Sequence, residues 1–320
     1  MKYDRALNSS RVFFILSCVM AHCLLSHSEM TNNFANKILT LLSFLSCIGV
    51  PCFLITSGIL FKKLPLKKFL MKKITNICIP WIFCGTIIFL ISYFSAYSLL
   101  EHVKFVFGIG SFLYYIPVLL FCYLIFYILP NKKLFYTLCI ALNYCSLVAT
   151  QFGLINFPNN SLNFLNWIGY FAIGRWIASS TILNIIRSHS ICIFSVCTIF
   201  SFLSCIVACM YQIESYYYGI LLIVAPCWFF TIYLLCTIFF ENNKLFQEIG
   251  KTTYTIYLVH MPFAALFKKI VRIYFPQTQI YILLPLAVIL ISFVAIKTYM
   301  SCILKNKILY NLSKKLLGLR

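Results

Sequence analysis

Apolar stretches of 18 residues or more recur along the whole chain, separated by short segments where lysine, asparagine and proline collect. Runs of that length with few charges mark membrane-spanning helices, because hydrocarbon leaves backbone groups no partners but each other. The pattern predicts ten spans, at 12–28, 38–61, 74–98, 111–129, 134–155, 164–183, 191–210, 220–240, 254–267 and 280–300. The ninth is short for a crossing. No polar domain interrupts the spans, so residues 1–320 read as one all-α, membrane-embedded helical bundle of a multi-pass cell-membrane protein. The first run has cationic flanks but no small-residue cleavage site before HSEMTNNFANK at 27–37, and is expected to be a retained helix rather than a signal peptide.

Composition sharpens this picture. The chain is 62% hydrophobic and only 10% charged, against about 25% charged in a soluble domain. Its net charge of +20 invites a nucleic-acid reading until the cations are placed on the spans. With the N-terminus cytoplasmic, 20 of the 26 lysines and arginines fall on inner segments and five on outer ones, with Arg175 inside a span. That asymmetry is the positive-inside signal, and it puts both termini in the cytoplasm. Most of the charge is thereby assigned to topology and contact with anionic lipid, and no nucleic-acid partner is expected. Outer segments carry their own chemistry: turn-rich NFPNNSLN at 156–163, and YQIESYYYG at 211–219, whose tyrosines suit a membrane interface. The 16 cysteines include no C-x-x-C and mostly sit singly in apolar runs. They read as small hydrophobes, with neither a disulfide framework nor a metal site.

One apolar run is chemically odd. RVFFILSCVMAH at 11–22 opens on an arginine and ends on a histidine. Eleven residues at the helical rise separate Arg11 and His22 by about 16 Å along the axis and return them to nearly the same face. Ser26 and Glu29 continue that stripe. Ionisable side chains inside a span face a bundle interior or a water-filled cavity, since lipid exposure costs several kcal/mol. A neutral imidazole held there accepts a proton near pH 7. The same residues also fit a plainer account, in which His22 bonds a neighbouring helix and Arg11 snorkels to headgroups.

The wider sequence resembles the acyltransferase-3 family of integral-membrane O-acyltransferases. The Arg-x10-His of Arg11 and His22 is similar to that family's first-helix signature. GVPCFLITSGILF at 49–61 resembles its second-helix segment, and KKFLMKKITNICIPW at 67–81 its basic stretch ending in Ile-Pro. FGIGSFLYYIPVLLFCYLI at 107–125, WIGYFAIGRWI at 167–177 and IGKTTYTIYLVHMPF at 249–263 follow in the family's order. There are departures. The family's R-x-x-R pair before Ile-Pro corresponds here to Lys73 and Asn76, its fourth-helix tryptophan to Tyr114, and a late serine to Thr253. With no esterase-like extension after the tenth span, the chain resembles the short form.

The resemblance implies transfer of an acyl group, acetyl above all, from cytoplasmic acyl-CoA to a hydroxyl of a surface or lipid-linked glycan. Acyl transfer to an alcohol needs a base for the hydroxyl proton, and His22 is the candidate. Arg11, at the cytoplasmic mouth, is expected to pair with coenzyme A phosphates, the 16 Å between the two matching an extended pantetheine arm. Lys72 and Lys73 are the further phosphate candidates, as point charges without arginine's fork. Glu29, Ser57, Tyr257 and His260 are expected to support the site or contact substrate, and Arg175 to snorkel. No metal is expected, and a homo-oligomer is left open. A transporter of glycan or small solute is the competing reading, although the halves of the chain lack the matching broken helices it calls for.

Overall fold

The computed structural model describes residues 4–24, 33–93, 97–129, 132–155, 157, 159–179, 185–186, 188–274 and 282–319, with backbone alone at 33–35 and 179. Among them every regular element is helical. In chain order the helices are α1 (Arg5–Cys23), α2 (Asn33–Ser46), α3 (Gly49–Ile59), α4 (Leu66–Lys73), α5 (Ile79–Tyr93), α6 (Leu99–Val106), α7 (Tyr115–Ile128), α8 (Lys133–Gln151), α9 (Ile168–Ser179), α10 (Ser190–Tyr211), α11 (Leu221–Leu235), α12 (Lys244–Tyr274), α13 (Leu284–Cys302) and α14 (Lys307–Leu316).

Seven helical segments are long and apolar enough to cross a membrane: Arg5–Cys23, Asn36–Ile59, Leu66–Tyr93, Lys133–Gln151, Ser190–Tyr211, Leu221–Phe240 and Leu284–Cys302. Phe112–Ile128 is apolar but shorter. The remaining two expected spans differ from the pattern's outline. α9 has only 12 residues, and the short ninth stretch is the middle of a 31-residue helix, α12, whose ends carry Lys244, Glu248, Lys251, Lys268, Lys269 and Arg272. Hydropathy alone sees only the apolar middle of such a helix.

One expected span, 38–61, is single in sequence but interrupted in structure, for a visible reason. Between α2 and α3 the helix pauses at Cys47 and Ile48, and the freed carbonyls are taken up by side chains. Ser17 donates to Leu45 O (2.6 Å) and Ser46 O (3.2 Å), and the Tyr216 hydroxyl donates to Ser46 O (3.2 Å). α4 passes into α5 through a π turn at Ile74–Cys78, and α11 ends in another at Cys236–Phe240. Such turns widen a helix by one residue and recur where side chains must be aimed at a site.

α3 and α9 cross backbone to backbone. A methyl group added at Gly58 would lie 3.0 Å from the Gly174 Cα and closer still to the Phe171 carbonyl oxygen. The pair is therefore a small-residue crossing of the membrane type. Arg175, next to it, does not snorkel outward. Its Nη1 donates to Phe61 O at 2.9 Å and the guanidinium lies over the Phe61 ring. A cation thus sits on the carbonyls left open where α3 ends.

Hydrogen bonds gather the chain's basic segments at one end of the bundle. Asp4 caps α1 by accepting from Leu7 N, and the Tyr233 hydroxyl donates to its other oxygen. Gln247 donates to Arg5 O, Ser9 Oγ and Glu241 O, and receives Asn8 Nδ2. Tyr254 reaches Ile77 O, and Thr255 reaches Leu317 O. The start of α1, the π turn after α4, the start of α12 and the C-terminal segment therefore share one end.

Candidate functional site

α1 carries the site's axis. Arg11 and Cys18, seven residues apart and so two turns along one face, both line a cavity of about 200 Å³ at the basic end of the bundle. α3 contributes Phe53, Thr56 and Ser57, α7 contributes Tyr115 and Tyr123, and α12 contributes Lys251, Tyr254 and Tyr257. Lys72, Lys73 and Asn76 come from the end of α4 and its π turn. Among the described residues the cavity lining holds four cations and no carboxylate, so an anion entering it meets attraction from several walls.

The aromatic walls organise these charges. Lys73 Nζ lies 3.0 Å from the Tyr123 ring centroid and 5.5 Å from that of Phe69. Phe61 stacks on Tyr123, and Phe69 on Tyr127. Attraction to the ring faces fixes an otherwise flexible lysine head at the cavity edge. Ser57 and Tyr115 both line the cavity, Ser57 next to the α3–α9 crossing at Gly58. Lys251 is shared with Glu248 at 3.0 Å, and Glu248 also binds Lys297 at 2.5 Å. Those two lysines, Lys297 foremost, hold the Glu248 carboxyl below its ordinary range.

Deeper in the bundle the cavity ends at Cys18 and Tyr257. The Tyr257 hydroxyl donates to Phe112 O, and its ring meets Tyr115 edge-on. His22 is not among the lining residues. It stands one turn beyond Cys18, with its ring 5.3 Å from that of His260, and both imidazoles pack on Phe112. His260 is wholly buried, and its Nδ1 lies 2.7 Å from Tyr257 O. A carbonyl can only accept, so Nδ1 carries the hydrogen and Nε2 is left as the lone-pair nitrogen. That nitrogen is buried and has no hydrogen-bond partner among the described residues. Lys268 closes α1 just past His22 by donating to Leu24 O at 2.9 Å.

The structure thus brings Arg11, Ser57, Lys72, Lys73 and Tyr257 around one cavity, and places His22 with His260 as a second polar layer beyond it. Glu29 lies outside the described residues. Tyr115, Tyr123 and Lys251 join the site without having been singled out in the sequence. The tyrosines look like any interfacial aromatic there, and Lys251 counted only towards topology. The layout pairs a cationic cavity with two histidines, one of them holding a free basic nitrogen, on a single helix-lined track.

Comparison with known proteins bears on what such a track is for. The sequence profile of an acyltransferase domain, the acyltransferase-3 type, matches residues 4–297. No curated protein and no solved structure matches the chain. Because the profile spans nearly all of the bundle just described, from the Asp4 cap to Lys297 in α13, the chain belongs to the acyltransferase-3 family of membrane acyltransferases.

Proposed function

We propose that the chain is a cell-membrane O-acyltransferase that takes an acyl group, acetyl first among them, from cytoplasmic acyl-CoA and places it on a hydroxyl of a surface or lipid-linked glycan. The observation that carries this reading is the arrangement along α1: Arg11 at a cationic cavity with no carboxylate among its described lining residues, and His22 in the next polar layer beside His260. The proposal includes ten spans with both termini cytoplasmic, in which Phe112–Ile128, α9 and α12 complete the seven long apolar segments. Clustering of the 62–73 loop, the start of α1 and the C-terminal segment at one end supports that orientation, because those segments hold most of the cations.

The lining suits the donor's chemistry. Arg11 offers a bidentate fork to phosphate, while Lys72 and Lys73 offer point charges. The aromatic and apolar wall of Phe53, Tyr115 and Tyr257 suits an uncharged arm threaded between the layers. The donor contributes an activated thioester. His22 takes the proton from the acceptor hydroxyl as its oxygen bonds to the acyl carbon, and returns that proton to the departing thiolate sulfur. His260, its Nδ1 held by the Tyr257 carbonyl, supports His22 from the adjoining helix.

The test is chemical. Mass spectrometry of surface glycans with and without the protein is expected to show an acyl ester that depends on it, and to give acyl size and acceptor together. Replacing His22 by alanine, at equal protein abundance, is expected to remove the ester with the fold retained. An ester that persists at the normal level in the His22→Ala strain eliminates His22 as the base, and solute flux independent of acyl-CoA favours a transporter.

A further inference from the structure

The cationic cavity does not end at its rim. A second hollow of about 220 Å³ adjoins it, sharing Asn76 and Gly318, and is otherwise lined by Thr75, Asn311, Lys314, Lys315 and Leu319. Its walls come from two places far apart in sequence: the π turn after α4 and the last turn of α14. The family match ends at residue 297, so α14 lies beyond it.

α14 is locked in position by its ending. Leu319 N bonds Lys314 O and Gly318 N bonds Lys315 O, which is the Schellman closure, and Gly318 takes the left-handed φ of +68° that this closure requires. A side chain at Gly318 would press on the Tyr254 ring, with a Cβ at 2.9 Å from Cδ1. Thr255 donates to Leu317 O at 2.7 Å, and the Tyr299 hydroxyl pairs with Ser313 Oγ at 2.9 Å. Lys314 and Lys315 are therefore presented by a fixed turn and not by a loose tail. Among the described residues neither ammonium meets a carboxylate, and the Asn76 side chain makes no hydrogen bond.

Asn76 on the π turn and Lys314 and Lys315 on α14 line the same hollow. We propose that α14 supplies a second cationic anchor: Lys314 and Lys315, with the Asn76 amide, form a phosphate subsite at the cavity mouth, which takes the nucleotide end of the acyl donor. This inference rests on the donor reading above and adds its second anchoring point. The hollow has the Asn76 and Asn311 amides beside the two lysines, and it shares Asn76 and Gly318 with the cavity that holds Arg11 and Lys73. An anion bridging the two finds cations on both sides and, among the described residues, no acid between them. Phosphate is the shared chemistry of a nucleotide and an anionic lipid headgroup, and the test separates the two.

Binding is measured with the full chain in bilayer nanodiscs, using coenzyme A and adenosine 3′,5′-bisphosphate as probes, for wild type and the double variant Lys314→Gln/Lys315→Gln. The double variant is expected to bind both probes about tenfold more weakly in zwitterionic lipid, the size of a lost charge-assisted contact to phosphate, and Asn76→Arg added to it is expected to restore most of the loss. Unchanged affinity of the double variant for coenzyme A overturns the subsite while leaving the donor reading intact. Loss for coenzyme A but not for the bisphosphate overturns it too, since the lysines would then not be reading the nucleotide. A double variant altered only in its response to added phosphatidylglycerol assigns the lysines to lipid and overturns the nucleotide assignment. Failure of the wild type to bind coenzyme A at all removes the donor reading and this inference with it.

Discussion

The two ends of the bundle treat their polar residues in opposite ways. At the end away from the cations, asparagines and hydroxyls close on one another. Ser146 donates to Asn166 Oδ1 at 2.7 Å, Asn163 donates to Ser146 Oγ, Gly169 N donates to Asn143 Oδ1, and Asn166 reaches Asn160 O. Ser161 pairs with the Tyr217 hydroxyl, and its carbonyl accepts from the Trp167 indole. At the basic end, Arg11, Lys72 and Lys73 face a cavity instead, and behind it His260 Nε2 is left without a partner. Buried polar groups are normally satisfied within the protein. At the first end most of these groups satisfy one another, Asn143 Nδ2 and Asn160 Oδ1 excepted, whereas at the basic end the cations line a cavity.

That contrast can be broken by substitution. The largest effect is expected at His22. Its alanine variant is expected to lose about 10²- to 10⁴-fold in acyl transfer, the usual worth of a positioned base, with an unchanged unfolding midpoint in the same detergent; a loss under fivefold would mean the proton goes elsewhere. At the other end, Asn166→Ala is expected to do the reverse. It strands the Ser146 hydroxyl and the Asn160 carbonyl in a site where Asn166 is only 1% exposed. The expected cost is about 1–3 kcal/mol of stability, read by thermal unfolding, with coenzyme A affinity untouched. Arg11→Gln tests the cationic cavity directly and is expected to weaken coenzyme A binding by about tenfold or more, a charge-assisted phosphate contact being the loss.

The smallest effect concerns Glu248. Its carboxyl is held below the ordinary range by Lys297 and Lys251, so the stability it lends is present above that range and lost as pH falls through its lowered value in the folded state. Glu248 and both lysines are more than two-fifths exposed, and solvent screens them, so Glu248→Gln is expected to cost under about 1 kcal/mol. The difference between wild type and variant in unfolding midpoint should shrink on acidification. A gap that widens at low pH would put the cause outside this ion pair.

Several features were legible residue by residue. Arg11 and His22 share a face because eleven residues return a helix to its starting azimuth; that Arg11 and Cys18 line one cavity, with His22 a turn beyond it, came only from the structure. The long apolar runs are helices at close to the expected places. What the pattern missed has a physical cause in each case. The break at Cys47 and Ile48 leaves no mark in hydropathy, since serine and tyrosine side chains from α1 and the 211–219 segment stabilise it. The length of α12 is hidden because its charged ends look like loops. The expected snorkelling of Arg175 gives way to a bond with Phe61 O, available only because Gly58 and Gly174 let α3 and α9 touch. Glu29, assigned a supporting role from the stripe, falls outside the described residues.

The sequence by itself determined the solvent. Twenty-residue apolar runs and an uneven share of lysines specify helices in a membrane, since backbone hydrogen bonding and charge hydration act on each segment locally. Which side chains converge was decided only by tertiary packing. His22 meets His260 across 238 residues of chain, and Lys314 faces Asn76 across a similar distance. Such meetings depend on crossing angles, small-residue contacts and helix endings, none of which a one-dimensional periodicity contains.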